Sequence, residues 1–192
     1  LNKNELIIFD FDFTIAKTAE KIWVWSPRGT RQHENKLYIP VHPTEYQNFI
    51  LSDDEHIDDS SFKEFYDLDI DKAKPIIPII EYVDYHTKKP NSDVVVLTAR
   101  PPDVKEKVFQ ILTGHKIDVE KINFIGLRNT DNFKKIEKIF ELLEENKELN
   151  KIKIYEDNIN ILKLAKQHIK QIELNLILVQ SEHRDVSLKF YE

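Results

Sequence analysis

A chain of 192 residues with 41% hydrophobic content can fill one core well, whereas two full domains would both be undersized. Its formal net charge of −6 disfavours coating nucleic acid by bulk electrostatics, although a local basic groove can exist within an acidic total. With no cysteine, disulfides, thiolate zinc sites and a cysteine nucleophile are excluded, so any metal must rest on oxygen or histidine ligands.

The first element is the apolar run Glu5-Leu-Ile-Ile-Phe-Asp10, which suits a strand buried on both faces whose carboxyl end meets solvent. Between Ala16 and Pro75 the chain offers short β-rich pieces, Lys21 to Trp25 and Lys36 to Val41, joined by a polar turn around Arg28-Gly-Thr. They predict a hairpin. The acidic stretch Ser52 to Asp59 and the aromatic-rich Phe62-Lys-Glu-Phe-Tyr66 predict a loop and a short helix. Residues 16–75 therefore read as an insertion, a flap or small cap, at the mouth of the sheet, where open α/β folds place ligands.

From residue 76 onward, segments of helical spacing alternate with apolar runs. Helices are predicted over 76–88, 102–114, 132–146 and 159–169, the second opening on proline and closing near glycine. In the third, Phe133, Ile136, Ile139, Phe140 and Leu143 share one face and read as core. Strands are predicted over 93–98, 121–126, 151–155 and 172–179. The alternation predicts a single α/β domain, 1–192, with a Rossmann-like parallel sheet of about five strands flanked by helices.

No stretch approaches the roughly 18 apolar residues of a spanning helix, and Leu1 to Glu5 has neither the basic nor the apolar region of an export signal. A soluble, cytoplasmic protein with no membrane partner is expected. Methionine is absent even at the first position, which points to a processed, truncated or engineered start and carries no function.

Asp10 and Asp12 stand two apart just beyond the first strand, so an extended loop can aim both carboxylates to one side. Two such acids invite a hard cation such as Mg²⁺, which needs only one or two carboxylates beside waters and a substrate phosphate. A lone Asp-x-Asp is more often a solvated turn. Here it has company at the predicted sheet edge: Thr98 ends the second strand, Lys134 begins a helix, and Glu156 and Asp157 end a later strand.

These segments resemble the haloacid dehalogenase superfamily of phosphotransferases. Asp10-Phe-Asp-Phe-Thr14 is similar to its first motif, Val94-Val-Val-Leu-Thr98 to its second, Thr130-Asp-Asn-Phe-Lys134 to its third and Ile154-Tyr-Glu-Asp157 to its fourth. The resemblance implies that Asp10 is a nucleophile forming an aspartyl-phosphate, with Asp12 protonating the departing oxygen and then activating water. Superfamily dehalogenases lack the second acid, which favours phosphatase chemistry. Mg²⁺ is then the implied cofactor, held by Asp10, Asp12, Asp157 and Glu156, with the order of the last two open. Lys134 and Thr98 would neutralise and grip the phosphate, with Lys135 as a neighbour able to replace Lys134. Thr14 would fix the loop, and Phe13 stands where the family more often has a small or polar residue.

Arg100 can fork onto a phosphate or onto Glu156, and Asn158 suits a helix cap. Trp23, Trp25, Tyr38 and Tyr46, with Arg28, Arg31 and Lys36 nearby, offer a surface on which a base can stack, although such aromatics are more often packing. His33, His42 and His56 read as solvated loop positions.

Leu97-Thr-Ala-Arg100, Thr130-Asp-Asn-Phe-Lys134 and Tyr155-Glu-Asp-Asn158 are also similar to RNA-repair-type and phage-encoded phosphatase domains. That likeness suggests a nucleotide or phosphorylated nucleic-acid end as partner, with no protein partner inferable. A small-metabolite phosphatase and a fold that binds without turnover are the alternatives; a receiver domain or a metal-dependent nuclease accounts less well for the set.

Overall fold

The computed structural model describes residues 4–33, 35–46, 48–58, 60–182 and 185–191, so the start at Leu1 to Lys3 and Asp59 of the acidic stretch lie outside the described residues. In chain order the elements are β1 (Glu5–Phe9), β2 (Ala16–Lys17), β3 (Ile22–Trp25), β4 (Arg31–His33), β5 (Lys36–Val41), α1 (Pro43–Tyr46), β6 (Lys74–Pro75), α2 (Ile77–Thr87) and β7 (Ser92–Thr98). There follow α3 (Lys105–Gly114), β8 (Ile122–Gly126), α4 (Asn132–Glu145), β9 (Lys151–Glu156), α5 (Ile159–His168), β10 (Glu173–Glu182) and β11 (Asp185–Phe190). No helix among the described residues is long and apolar enough to cross a membrane.

The central sheet has six strands in the order β11-β10-β9-β1-β7-β8. All neighbours are parallel except β10 and β11, which pair antiparallel. The sixth strand goes beyond the five expected; its alternating Val186, Leu188 and Phe190 pair across Ser181 to Ile177 at the sheet edge. Because side chains alternate along a strand, β1 feeds two cores. Ile7 and Phe9 pack with Val94, Val96, Ile79, Val83, Val108 and Leu112. Leu6 and Ile8 pack with Val95, Leu97, Ile136, Ile139, Ile154 and Leu162 on the opposite face. Helices thus cover both faces, as an apolar parallel sheet requires.

The register decides where the polar residues gather. Phe9 lies opposite both Val96 and Tyr155, and Thr98 opposite Gly126, so Asp10, Thr98 and Glu156 all stand at one edge. That edge is the carboxyl end of the strands, and the chain leaves β8 on one side of β1 to return as β9 on the other, the switch point at which open α/β sheets form a crevice. Gly126 keeps this edge tight: a Cβ there would lie 2.5 Å from the backbone of Pro101.

Residues 16–75 are pinched at their roots, where β2 pairs with β6 through Ala16 and Pro75. Beyond that neck β3 pairs antiparallel with β5, as the hairpin reading expected, and β4 adds to the other edge of β5. The helix expected over Phe62 to Tyr66 is instead a set of turns, with one Tyr66 N–H to Phe62 carbonyl bond of 2.8 Å.

Candidate active site

Two neighbouring lysines open α4, and the helix sends them in opposite directions. Ile136 and Ile139 are buried in the core, and Lys135, four residues before Ile139, shares their inward face. Its ammonium donates to Asp10 Oδ1 at 2.6 Å and to Glu156 Oε2 at 2.7 Å. Lys134 is turned outward and pairs with Glu137 in solvent at 2.7 Å. Side-chain exposure is 53% for Lys134 and 8% for Lys135. The motif spacing that pointed to Lys134 is therefore corrected by one residue, because the helical phase, set by Ile136 and Ile139, decides which ammonium faces inward. Phe133 is corrected for a different reason: its phase matches Ile136, but it lies on the first turn beyond the core and is 59% exposed.

Asp10, Glu156 and Asp157 each offer a ligand atom within 4.8 Å of the others. Burial together with the charge of Glu156 pushes Asp10 up to about 8, despite the opposing pull of Lys135. Burial, then Glu156 and Asp10, hold Asp157 well above the usual carboxylate range. For Lys135 burial opposes the charged form, but Asp10 and Glu156 outweigh it and raise the ammonium. Three carboxylates share one buried ammonium here, so ionising all of them leaves surplus negative charge that a divalent cation would neutralise. All-oxygen donors of this kind suit a hard cation such as Mg²⁺. The carboxylates that come together so as to be able to hold it are Asp10, Glu156 and Asp157, and the Asp12 carboxylate lies outside that group.

Asp12 is held elsewhere. Its Oδ1 accepts from Thr18 Oγ1 at 2.7 Å and from Arg100 Nη2 at 2.8 Å, and Arg100 Nε sits 3.0 Å from both carboxylate oxygens. Arg100 is 0% exposed and also donates to Glu20 Oε2 at 2.8 Å and to the Phe65 carbonyl at 2.7 Å. Its expected role on phosphate or on Glu156 is thereby corrected: the guanidinium is spent on Asp12 and on residues 16–75. Thr98 stands at the same edge, beneath the surface of the cleft. It is fully buried, its hydroxyl accepts from the Arg100 N–H at 3.2 Å, and the next residue, Ala99, lines the pocket instead.

The loop between the acids carries Phe13 at φ 58°, a left-handed conformation in which a bulky side chain is strained. Its ring meets His42 edge-on at 4.5 Å, and burial lowers the His42 imidazole. The Thr14 hydroxyl has no hydrogen-bond partner among the described residues, so it fixes the loop by packing. Asn158 caps α5, its side chain accepting from the Asn160 N–H.

Asp10, Asp12, Phe13, Tyr46, Lys135 and Asp157 help line a cleft of about 50 Å³, a space on the scale of a single small group. Of the four aromatics that suggested a stacking surface, only Tyr46 reaches it. Trp23 lies under Arg31 and donates to Glu64, Trp25 stacks on His56, and the Tyr38 hydroxyl bonds Asp58 and Ser60. Arg28 pairs with Glu55 and Lys36 with Asp58; the His33 side chain lies outside the described residues. Sequence reasoning missed Thr18 and Glu20, whose positions carry no local signal, and ranked Lys135 second although the phase of α4 marks it.

No protein-family model matches this chain, and no curated protein matches it. Two crystal structures of the Legionella pneumophila effector Ceg4, one with an N-terminal yeast Hog1p sequence and one with an N-terminal TEV protease cleavage sequence, align over 92% and 93% of this chain and 87% of theirs. Each is 12% identical with a TM-score of 0.46.

Proposed function

We propose that this chain is a Mg²⁺-dependent phosphomonoester hydrolase of the haloacid dehalogenase type, working through an aspartyl-phosphate on Asp10. The observation that carries the reading is a buried carboxylate, Asp10, held between Lys135 and a further acid pair, Glu156 and Asp157, at the carboxyl edge of a parallel sheet. The order of motifs along the sequence supports it from a separate direction.

Asp10, Glu156 and Asp157 would hold the cation, which would supply positive charge for the phosphoryl oxygens and keep Asp10 ionised. Lys135 orients Asp10 through Oδ1 and adds charge where the transferring group develops it. An Asp10 oxygen attacks phosphorus, the bond to the alcohol oxygen breaks, and that oxygen takes a proton from Asp12. Water then gives a proton to Asp12 and attacks the aspartyl-phosphate, breaking the bond to Asp10 and freeing phosphate. Arg100 and Thr18 fix where Asp12 points. Nucleotides and phosphorylated nucleic-acid ends are the first substrates to try, on the strength of the sequence likeness.

The test is release of phosphate from p-nitrophenyl phosphate, mononucleotides, phosphorylated oligonucleotide ends and sugar phosphates, with and without Mg²⁺. Metal-stimulated turnover that Asp10→Asn abolishes is expected. No release above that variant on any member of the panel would leave a binding protein with this fold.

A further inference from the structure

Beside the narrow catalytic cleft lies a second, wider depression of about 520 Å³. The two are continuous, for Tyr46, Thr130, Asp131 and Asn132 line both. The depression runs between residues 16–75, which contribute Tyr46, Phe49, Leu51 and Ile57, and the start of α4 and α5, which contribute Phe133 and Leu164. Its volume falls within the roughly 300–1,000 Å³ of sites that take small organic ligands.

Two features give the groove a chemistry. First, aromatic rings stand on both walls, Tyr46 and Phe49 on one and Phe133 on the other. Phe133 sits on the first turn of α4 two residues before Lys135, and the residue is 59% exposed. With Phe49, Leu51 and Leu164 it lines one groove, and a contiguous exposed apolar patch of this kind marks a ligand-binding groove. Second, the size step at Tyr46 matches a substrate made of a small charged group and a larger body. The cleft of about 50 Å³ holds Asp10, Asp12, Glu156, Asp157 and Lys135; the groove beyond holds none of these five, and its charged lining is Asp131 and Lys163.

We propose that this groove seats the alcohol portion of the phosphomonoester and that this portion carries a flat aromatic ring, clasped between Tyr46 and Phe49 on one side and Phe133 on the other. The inference rests on the phosphatase reading and narrows its substrate class. Rings of this kind come from two sources, an aryl ester with the ring on the ester oxygen and a nucleoside monophosphate with the ring beyond a sugar. Sugar phosphates and glycerol phosphate lack the ring and gain nothing from the groove.

The experiment compares kcat/KM for naphthyl phosphate, a mononucleotide and glycerol phosphate in the wild type, Phe133→Ala, Phe49→Ala and Phe133→Tyr. Loss of one stacking partner removes about tenfold in affinity. The expected result is a wild-type preference for one ring-bearing substrate over glycerol phosphate that falls about tenfold in either alanine variant, chiefly through KM, and that Phe133→Tyr retains. The ring-bearing substrate whose preference falls identifies the source. Turnover with a preference that neither alanine variant changes overturns the inference and leaves the phosphatase reading standing. No metal-dependent turnover of any substrate overturns both.

Discussion

The sheet edge and residues 16–75 both carry paired charges, yet they use them differently. At the edge, Asp10, Lys135 and Glu156 come from three distant parts of the chain and meet in a buried cluster with one cation too few. In residues 16–75, Arg28, Lys36 and Lys72 pair with nearby acids, Glu55, Asp58 and Asp69, largely in solvent. Exposed pairs of that sort contribute about 0–1 kcal/mol, whereas an unbalanced buried cluster is costly and persists only where something else repays it. Function is therefore expected where the charges do not balance, and the aromatic surface of residues 16–75 largely serves its own packing.

The largest test of that contrast is Asp10→Asn. Turnover should fall at least about 10³-fold, while the metal-free protein should become more stable, by roughly 2–4 °C in midpoint for each kcal/mol gained, because folding no longer has to keep a buried acid protonated. Thermal melts with and without Mg²⁺ check this; stabilisation by Mg²⁺ should shrink in the variant. The sign follows from the raised Asp10: the stability it contributes is present below its unfolded value of 3.8 and is lost as pH rises through about 8. Mg²⁺ should thus raise the midpoint more at pH 8 than at pH 6. A midpoint unchanged by Asp10→Asn and by Mg²⁺ would place this cluster on a par with the pairs in residues 16–75.

Lys135→Ala should cost about 3–5 kcal/mol by chemical denaturation, the penalty for leaving buried charges unpaired. Arg100→Lys keeps the charge but loses the fork, and should lower kcat by about 10- to 100-fold with little change in KM, since misaligning a group by an ångström costs that much. A KM effect alone would mean that Arg100 meets substrate after all.

A smaller effect belongs to His86, which is buried beneath Tyr155 with its Nδ1 unpartnered among the described residues. Burial, with Lys153 and Lys89, lowers it from 6.5 to about 4. Its stability contribution is present above 6.5 and is lost as pH falls through about 4. His86→Leu should flatten the stability profile between those values, measured as the difference from wild type. The smallest effect is Lys134→Ala, expected within about 0.5 kcal/mol and without change in turnover; a large loss there would exchange the roles of the two lysines.

Much of the sheet was legible in the sequence because buried parallel strands are continuous apolar runs and their order in the chain repeats. Glu5 to Phe9 and Asp93 to Thr98 are readable without any partner. The edge strand β11 was not, since Val186, Leu188 and Phe190 alternate with polar residues in a short terminal piece that only pairing with β10 organises. Asp10, Glu156 and Asp157 were legible as strand-end acids. Lys135 required the helical phase rather than the motif spacing; Glu20 was invisible because its partner Arg100 is distant in sequence, and Thr18 because only the fold of the loop after β1 turns its hydroxyl onto Asp12.

Arg100 has a consequence for how this molecule can be rebuilt. Its side chain ends on Asp12, Glu20 and the Phe65 carbonyl, so the stretch around the second acid is tied to residues 16–75 at two points beyond their roots. The turn at Gly29 lies apart from those ties and is held separately, packed so closely on the Tyr38 backbone that a Cβ there would collide with it. Trimming back to the roots would strip the guanidinium of two of its three anchors. A transplant of this centre onto another sheet must therefore carry Glu20 and Phe65 along with the acids.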